Sequence, residues 1–284
     1  MTINDLTLLG ATGFVGQRIL RLANEQGVKV EAVSRQPRPS GISERIGWTQ
    51  ADLTKPANIA NIPWCQTVIS TVQVDMTAQV VEKWIPDPTR RLIAFSSTSA
   101  LTKSHSAESS DRDLSALLLA GEARLRELHP EVTVLRPTMI YGGPGDRNVE
   151  RIARQLRTLA FFPLVGSGSG LRQPVHAEDL ALAAVLAAQS SKAKGASYNL
   201  GGSEVLTVKQ LIRRTAAANS LRVKFISIPL PLARSALRLL ALLPRFRDIP
   251  LGSLGRMSQD LIFDSSNAVD DFDYSPRAFS PPNY

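Results

Sequence analysis

The chain has 284 residues, of which 43% are hydrophobic and 20% are charged. This length suits one large or two small domains, and the composition excludes disorder as the main state. Lysine and arginine number 33 against 25 acidic residues, and the net charge of +8 favours anionic partners without choosing among phosphates, nucleic acid and lipid. The single cysteine, Cys65, excludes an intrachain disulfide and a cysteine metal cluster.

Short β-like runs alternate with helical patterns through the first half of the chain, as in a parallel sheet covered by helices on both faces. The predicted strands span residues 6–9, 29–33, 67–71, 91–95 and 133–136. A 3.6-residue apolar period predicts helices over 15–24 and 114–128. After residue 141 the chain is rich in glycine and proline, with predicted helices at 149–159 and 177–188. We predict an α/β fold, a Rossmann doubly wound parallel sheet with a smaller α/β lobe.

A glycine-rich turn, Gly10-Ala-Thr-Gly-Phe-Val-Gly16, joins the first predicted strand to the first predicted helix. Gly10 permits a tight turn, Gly13 lets backbone N–H groups approach a pyrophosphate, and Gly16 allows close packing. The helix N-terminus adds about half a positive charge. This context favours a dinucleotide site over a purely structural turn. The predicted cofactor contacts here are Gly10, Thr12, Gly13, Phe14, Val15 and Gly16.

The end of the second predicted strand lacks the acid that would bind the ribose 2′-hydroxyl of NAD. Val33 is followed there by Ser34 and Arg35, with Arg38 nearby. Since an arginine can pair with a 2′-phosphate, we predict NADP as the cofactor and NAD as the second choice. The alternative is that Arg35 is a solvated loop charge.

Four further residues are expected at strand ends along the same edge of the sheet. Asp52 and Leu53 are expected near the adenine, and Ser70 and Thr71 beside the phosphates. The alternative is that these polar side chains only cap the strand ends.

Six ordered motifs resemble the NAD(P)-dependent epimerase/dehydratase branch of the short-chain dehydrogenase/reductase superfamily, which includes nucleotide-sugar epimerases. They are the glycine turn, Phe95-Ser-Ser-Thr98, the run from Leu135 to Asn148, the run from Arg172 to Asp179, Tyr198-Asn-Leu-Gly-Gly202 and Phe263-Asp-Ser-Ser. The resemblance implies a dinucleotide-binding domain of residues 1–141 and 174–201 and a substrate lobe of residues 142–173 and 202–284. It also implies that Pro137 and Ile140 lie near the nicotinamide.

Enzymes of this family transfer a hydride to or from a carbinol carbon with the help of a tyrosine, a lysine and a serine or threonine hydroxyl. By resemblance, Thr98 takes the hydroxyl position, with Ser96, Ser97 and Ser99 as close alternates. Ser97 is also predicted to contact the substrate.

The tyrosine and lysine are missing. If Glu122 is the glutamate that usually follows the lysine by four residues, the lysine position is Leu118 and the tyrosine position is Leu114. Two hypotheses remain open. Either another group, of which Tyr141 is the first candidate, does the acid and base work of an epimerase, reductase or dehydratase, or the chain is a catalytically impaired NADP-binding sensor, regulator or assembly protein. The retained motifs of the substrate lobe favour the enzyme.

The resemblance places Arg172 against the diphosphate of a sugar nucleotide, where a guanidinium fork matches paired phosphate oxygens. Arg147, Asn148 and Arg256 are further predicted substrate contacts, with a salt bridge or a helix cap as the alternative for the first two. We predict no metal site, since His176 and Asp179 are read as structural.

The apolar segment 230–243 carries Arg234 and Arg238 along one side, and Arg245 and Arg247 follow it. Segment 230–247 could lie on an anionic lipid surface and suit a lipid-linked sugar. The favoured alternative is packing on the sheet or on a second copy in a homodimer. No nucleic-acid-binding motif is present. We expect a cytoplasmic protein, with the inner face of the membrane as the alternative location, because there is one cysteine and no basic leader.

Overall fold

The computed structural model describes residues 3–55, 59, 61–84, 89–159, 161–229, 232 and 256–284. The strands are β1 (Asp5–Leu9), β2 (Lys29–Ser34), β3 (Gly47–Gln50), β4 (Thr67–Ser70), β5 (Arg91–Phe95), β6 (Thr133–Pro137), β7 (Ile140–Tyr141), β8 (Phe162–Val165), β9 (Leu171–Arg172), β10 (Val175–His176), β11 (Ser197–Leu200), β12 (Leu206–Thr207) and β13 (Phe225–Ile228). The helices are α1 (Gly16–Glu25), α2 (Val74–Trp84), α3 (Ser99–Thr102), α4 (Ser109–Leu128), α5 (Val149–Thr158), α6 (Ala177–Gln189), α7 (Val208–Ala218) and α8 (Ser266–Phe272), with a short 3-10 helix at Arg256–Ser258.

Strands with near-continuous apolar runs build a seven-stranded parallel sheet, because both of its faces are covered. Its strand order is β11-β6-β5-β4-β1-β2-β3. The order reverses between β1 and β4, which pair in parallel from Leu6 against Thr67 to Leu9 against Ser70. Doubly wound sheets bind ligands outside the carboxyl ends of their strands at such a reversal. The predicted Rossmann sheet is therefore confirmed.

Alternate residues of the central strands bury their side chains in apolar clusters on opposite faces of the sheet. Ile69 and Ile93 join the cluster that contains residues of α1 and α6. Val68 and Leu92 join the cluster that contains residues of α2 and α4. Both faces of the sheet are thus held by helices, and its carboxyl edge is left for a site.

The predicted elements agree with these bounds to within one residue, except at α4. This helix begins at Ser109 rather than at Leu114. Its first turn is polar and includes Asp111, so the apolar period becomes visible only later.

A second, smaller set of elements follows β7. Strands β8 and β13 pair in parallel, β9 and β12 pair in antiparallel, and Thr207 begins α7 with a capping box that it forms with Gln210. Leu156, Phe162 and Ile212 lie in the apolar cluster of this region. The division of the chain into two domains at the predicted residues stays a prediction.

Within the described ranges, no helix has the length and apolar character needed to cross a bilayer. The segment 230–247, predicted to contact lipid, lies outside the described residues apart from Leu232.

Candidate functional site

A cavity of about 350 Å³ opens at the carboxyl edge of the sheet, beside the reversal between β1 and β4. Among the described residues that line it, none has a titratable side chain. They are Gly13, Phe14, Val15, Thr71, Val72, Gln73, Val74, Phe95, Ser96, Ser97, Ser99, Leu114, Leu118, Pro137 and Ile140.

The glycine turn forms one wall of the cavity, and its backbone leaves no room for a side chain at Gly10 or Gly16. Gly10 has a φ of +81°, and a Cβ atom there would lie 2.7 Å from the hydroxyl oxygen of Thr71. A Cβ atom on Gly16 would lie 2.2 Å from the carbonyl oxygen of Gly10. These two glycines are therefore required by the tight turn and by the close packing of α1 on it.

The turn presents unused hydrogen-bond donors to the cavity. Within the described part of the chain, the backbone N–H groups of Phe14, Val15 and Gly16 donate no hydrogen bond. Helix α1 also has no side-chain cap and no acid in its first turn. An uncapped helix N-terminus with free N–H groups is a site for phosphate, so the turn fits the pyrophosphate of a dinucleotide.

Arg18 fastens the glycine turn to the segment after β7. Its guanidinium group lies 4.0 Å from the ring centre of Phe14, donates to the Phe14 carbonyl, and donates over 2.6 Å to the carbonyl of Gly142. Burial lowers the pKa of Arg18. The sequence analysis did not predict this role for Arg18. Its position on α1, four residues after Phe14, is a signal for contact between the two side chains.

The end of β2 carries a buried serine followed by an exposed arginine. The buried Ser34 hydroxyl shares a 2.7 Å hydrogen bond with the Thr12 hydroxyl. Arg35 is exposed, and in the described ranges its side chain makes no hydrogen bond or ion pair. The pKa of the half-buried Asp52 is lowered, chiefly by hydrogen bonds from Thr54, with a smaller contribution from Arg35.

The other predicted strand-end residues divide between the cavity and the core. Thr71 lines the cavity, and its hydroxyl donates to the carbonyls of Leu9 and Gly10. The Ser70 hydroxyl is buried against Thr77, and Leu53 is buried in an apolar cluster. Neither Ser70 nor Leu53 lines the cavity. For Ser70 the reason is that side chains alternate between the two faces of a strand and its continuation, so that Thr71 faces the cavity and Ser70 does not.

The serine run after β5 supplies the hydroxyl groups of the cavity. Ser96, Ser97 and Ser99 line it, whereas Thr98 does not. The Thr98 hydroxyl is buried and donates over 3.1 Å to the carbonyl of Pro137. The geometry thus does not support Thr98 as the reacting hydroxyl. Ser97 does line the cavity, and its Oγ accepts from the Ser99 N–H at 3.1 Å.

Leu114 and Leu118, at the positions predicted for the tyrosine and the lysine, both line the cavity. They lie one turn apart on α4, so their side chains share one helix face. Leu118 is buried and Leu114 is half-buried. Apolar groups therefore occupy the place where the family's proton-transfer residues are expected.

The buried Glu122 lies behind this wall, on the next turn of α4. It accepts a 2.6 Å hydrogen bond from Ser96 and pairs with the guanidinium group of Arg136 on β6. Arg126 lies 3.7 Å from the same carboxylate. The motif glutamate thus supports the floor of the cavity rather than lining it.

Tyr141 does not line the cavity either. Its ring is fully buried, in edge contact with His176 and Phe279, and its hydroxyl donates to the Ala278 carbonyl at 3.3 Å. Burial raises the pKa of Tyr141. Since a general base must reach the proton it removes, this placement does not support Tyr141 as the base.

The predicted substrate contacts of the smaller region are spread apart. Arg172 is buried and donates to the carbonyls of Leu171 and Gln259. Asn148 donates from its amide to the Ile140 carbonyl, and Arg147 is exposed. The side chain of Arg256 lies outside the described residues. A guanidinium group committed to carbonyls is not free for a diphosphate, so the geometry does not support that role for Arg172.

The amino-acid sequence is similar to a known family and to two proteins from other organisms. The model of the NAD dependent epimerase/dehydratase family matches residues 6–201. A relative from Arabidopsis thaliana, mitochondrial NADH dehydrogenase (ubiquinone) 1 alpha subcomplex subunit 9, is 34% identical over 132 residues, which are 46% of this chain and 32% of that protein. An uncharacterized protein of Sinorhizobium fredii, y4nG, is 30% identical over 56% of this chain and 40% of its own length. The matches thus span less than half of these relatives.

Solved structures share the fold over nearly the whole chain. The UDP-glucuronic acid 4-epimerase from Bacillus cereus, in complex with NAD, has a TM-score of 0.71 at 16% identity and covers 97% of this chain and 94% of its own. MoeE5, in complex with UDP-glucose and NAD, has a TM-score of 0.68 at 20% identity over 97% of this chain and 94% of its own. At these identities the likeness shows the fold.

Proposed function

Because this chain belongs to the NAD dependent epimerase/dehydratase family, we propose that it binds a nicotinamide dinucleotide at the glycine turn without the proton transfer that turns over a sugar. It then acts as a cofactor-binding sensor, regulator or assembly protein. The observation that carries this proposal is the pair Leu114 and Leu118 in the cavity wall.

A reaction at a carbinol carbon needs a group that takes or gives the hydroxyl proton, within hydrogen-bond reach of it. Leucine can do neither. The polar side chains among the described lining residues are hydroxyl and amide groups, and of these Ser96 already donates to Glu122. The described lining residues can therefore hold a cofactor but offer no base with which to start the chemistry.

This chain's own groups would hold the cofactor. The free N–H groups of Phe14, Val15 and Gly16 would bind the pyrophosphate, and Arg35 would pair with a 2′-phosphate. The absence of an acid after Val33 supports NADP over NAD, although the structural neighbours described above hold NAD. When bound, the cofactor supplies a hydride donor or acceptor.

The Arabidopsis relative is named as a subunit of NADH dehydrogenase. This likeness supports a role of the present chain inside an assembly, in which a bound dinucleotide stabilises or reports on the fold rather than serving a free enzyme.

The second candidate is an enzyme that epimerises, reduces or dehydrates a nucleotide-linked or lipid-linked sugar. The structural likeness to MoeE5, which holds UDP-glucose and NAD, and the hydroxyl of Ser97 in the cavity support it. It requires a base from outside the described lining residues, which makes it the weaker candidate.

The test incubates the purified chain with NADP or NAD and with UDP-glucose or UDP-glucuronic acid. We expect cofactor binding but neither cofactor reduction nor an altered sugar. The control is Gly16→Ala, which should not bind cofactor, so activity shared by both samples comes from a contaminant. Turnover by the wild-type chain alone would contradict the proposal and favour the enzyme.

A further inference from the structure

The cavity wall on the β5 and β6 side comes from α4 and from the segment after β6. The glycine turn, by contrast, lies at the end of β1, across β4 from that wall. A dinucleotide whose pyrophosphate lies on the turn must extend along the cavity toward this wall. Because the adenosine end, with its 2′-phosphate at Arg35, would lie toward β2 on the opposite side of β1, the nicotinamide end faces Leu114, Leu118, Pro137 and Ile140.

This wall offers no counter-charge. The described lining residues carry no carboxylate, and Val74, Phe95 and Leu118 are buried apolar side chains. The oxidised nicotinamide ring is a cation, whereas the reduced dihydronicotinamide ring is neutral. Moving a cation from water to an apolar surface without an anion is costly, and the neutral ring does not bear that cost.

The carboxylates behind the wall do not supply the missing negative charge. Glu122 is connected to the cavity through the Ser96 hydroxyl, but it is already paired with Arg136 and lies 3.7 Å from Arg126. One anion and two cations leave an excess of positive charge there, which opposes a cationic ring.

Asp75 is the other carboxylate near this part of the cavity. It follows Val74 in the first turn of α2, where the helix N-terminus offsets its charge. One of its carboxylate oxygens is buried without a hydrogen-bond partner, but Asp75 packs against Gly121 of α4 and does not line the cavity. Among the described residues, no carboxylate thus lines the cavity where the cationic ring would lie.

We propose that this pocket discriminates between the two redox states of the cofactor and binds the reduced dinucleotide more tightly than the oxidised one. This inference rests on the proposed function, because the dinucleotide must enter the cavity. A chain with this preference reports the ratio of reduced to oxidised cofactor without consuming either form, which gives the sensor role a physical basis.

The first test is calorimetric titration of the purified full chain with NADPH and with NADP, and with NADH and NAD. In whichever pair binds better, NADPH with NADP or NADH with NAD, we expect the dissociation constant of the reduced form to be lower than that of the oxidised form by about tenfold or more. Equal affinities, or tighter binding of the oxidised form, would overturn this inference and leave the proposed function intact. No binding of any of the four would instead contradict the proposed function.

The second test adds a carboxylate to the wall. Leu114→Glu is compared with the neutral Leu114→Gln, and Ser97→Asp with Ser97→Asn, so that each pair differs in charge but hardly in shape. Each acidic variant should lower the ratio of oxidised to reduced dissociation constants about tenfold relative to its neutral partner, as for one partly desolvated charge pair. The two sites keep the test decisive if one acidic variant does not fold. Unchanged ratios in folded variants would show that charge is not the cause.

Discussion

The hydroxyl of Ser96 donates a 2.6 Å hydrogen bond to Glu122, whose side chain is 1% exposed behind the cavity. Arg136 reaches the same carboxylate from β6. One buried carboxylate thus joins α4 to the ends of β5 and β6, and the apolar wall formed by Leu114 and Leu118 stands on this connection.

Replacing this carboxylate with an amide should lower the stability of the fold. Glu122→Gln leaves the mostly buried Arg136 without its anion, and breaking a buried pair costs about 3–5 kcal/mol. Denaturant unfolding measures this loss. Glu127→Gln is the matched control on the same helix, since its pair with Arg124 is exposed and its loss should cost less than about 1 kcal/mol. Equal losses in the two variants would contradict the role of Glu122.

A methyl group at Gly16 should abolish cofactor binding. Its Cβ atom would lie 2.2 Å from the Gly10 carbonyl oxygen, which forces the turn open. Overpacking of this kind costs about 1–3 kcal/mol of stability as well. Gly41→Ala is the control, because its Cβ atom meets nothing within 4 Å and only its φ of +84° opposes the change. That variant should lose about 1–2 kcal/mol of stability but bind the dinucleotide normally. Normal binding by Gly16→Ala would argue against the turn as the site.

Reversing the charge at Arg35 should change the choice of cofactor. Arg35→Asp removes the cation for a 2′-phosphate and adds an acceptor for a ribose 2′-hydroxyl, so the affinity for NADP should fall about tenfold or more relative to NAD. Titrations with both dinucleotides measure the ratio. Arg213→Asp, at an exposed position of α7, should leave it unchanged. An unaltered ratio in Arg35→Asp would show that this arginine plays no part in cofactor choice.

His176 should make the fold less stable in mild acid. Burial and the nearby Arg277 lower the pKa of His176 below its ordinary 6.5. As the pH falls through that value, the unfolded chain takes up a proton before the folded chain does, so the free energy of unfolding falls. His176 also caps α6 by accepting from the Glu178 N–H, a role that asparagine can keep.

The free energy of unfolding of His176→Asn should therefore fall less between about pH 7.5 and about pH 5.5 than that of the wild type. His105→Asn, at an exposed loop position, serves as the control and should keep the wild-type slope. The same slope in all three proteins would exclude His176 as the source.

The sequence predicted the five inner strands of the sheet, because buried parallel strands are continuous apolar runs, but it did not predict the edge strands β3 and β11. It also predicted the glycine turn, because the φ of +81° at Gly10 favours glycine over residues that carry a Cβ atom. The replacement of the family's tyrosine and lysine by Leu114 and Leu118 was also predictable, because both positions lie at a fixed spacing from Glu122.

The direction of individual side chains was not predictable. Nothing in the run Phe95-Ser-Ser-Thr98 shows that Thr98 bonds to Pro137, 39 residues away, while Ser97 faces the cavity. The burial of Arg172 depends on the Gln259 carbonyl, which reaches it only through tertiary packing. Such long-range contacts decide which of several chemically suitable residues reach a site.

The most direct test of dinucleotide binding at the glycine turn is titration of the purified chain with NADPH, followed by calorimetry or by the fluorescence of the dihydronicotinamide ring. We predict saturable one-to-one binding that the Gly16→Ala variant loses. If a folded wild-type chain binds neither NADPH nor NADH, nor their oxidised forms, the glycine turn is not a dinucleotide site and the central claim is contradicted.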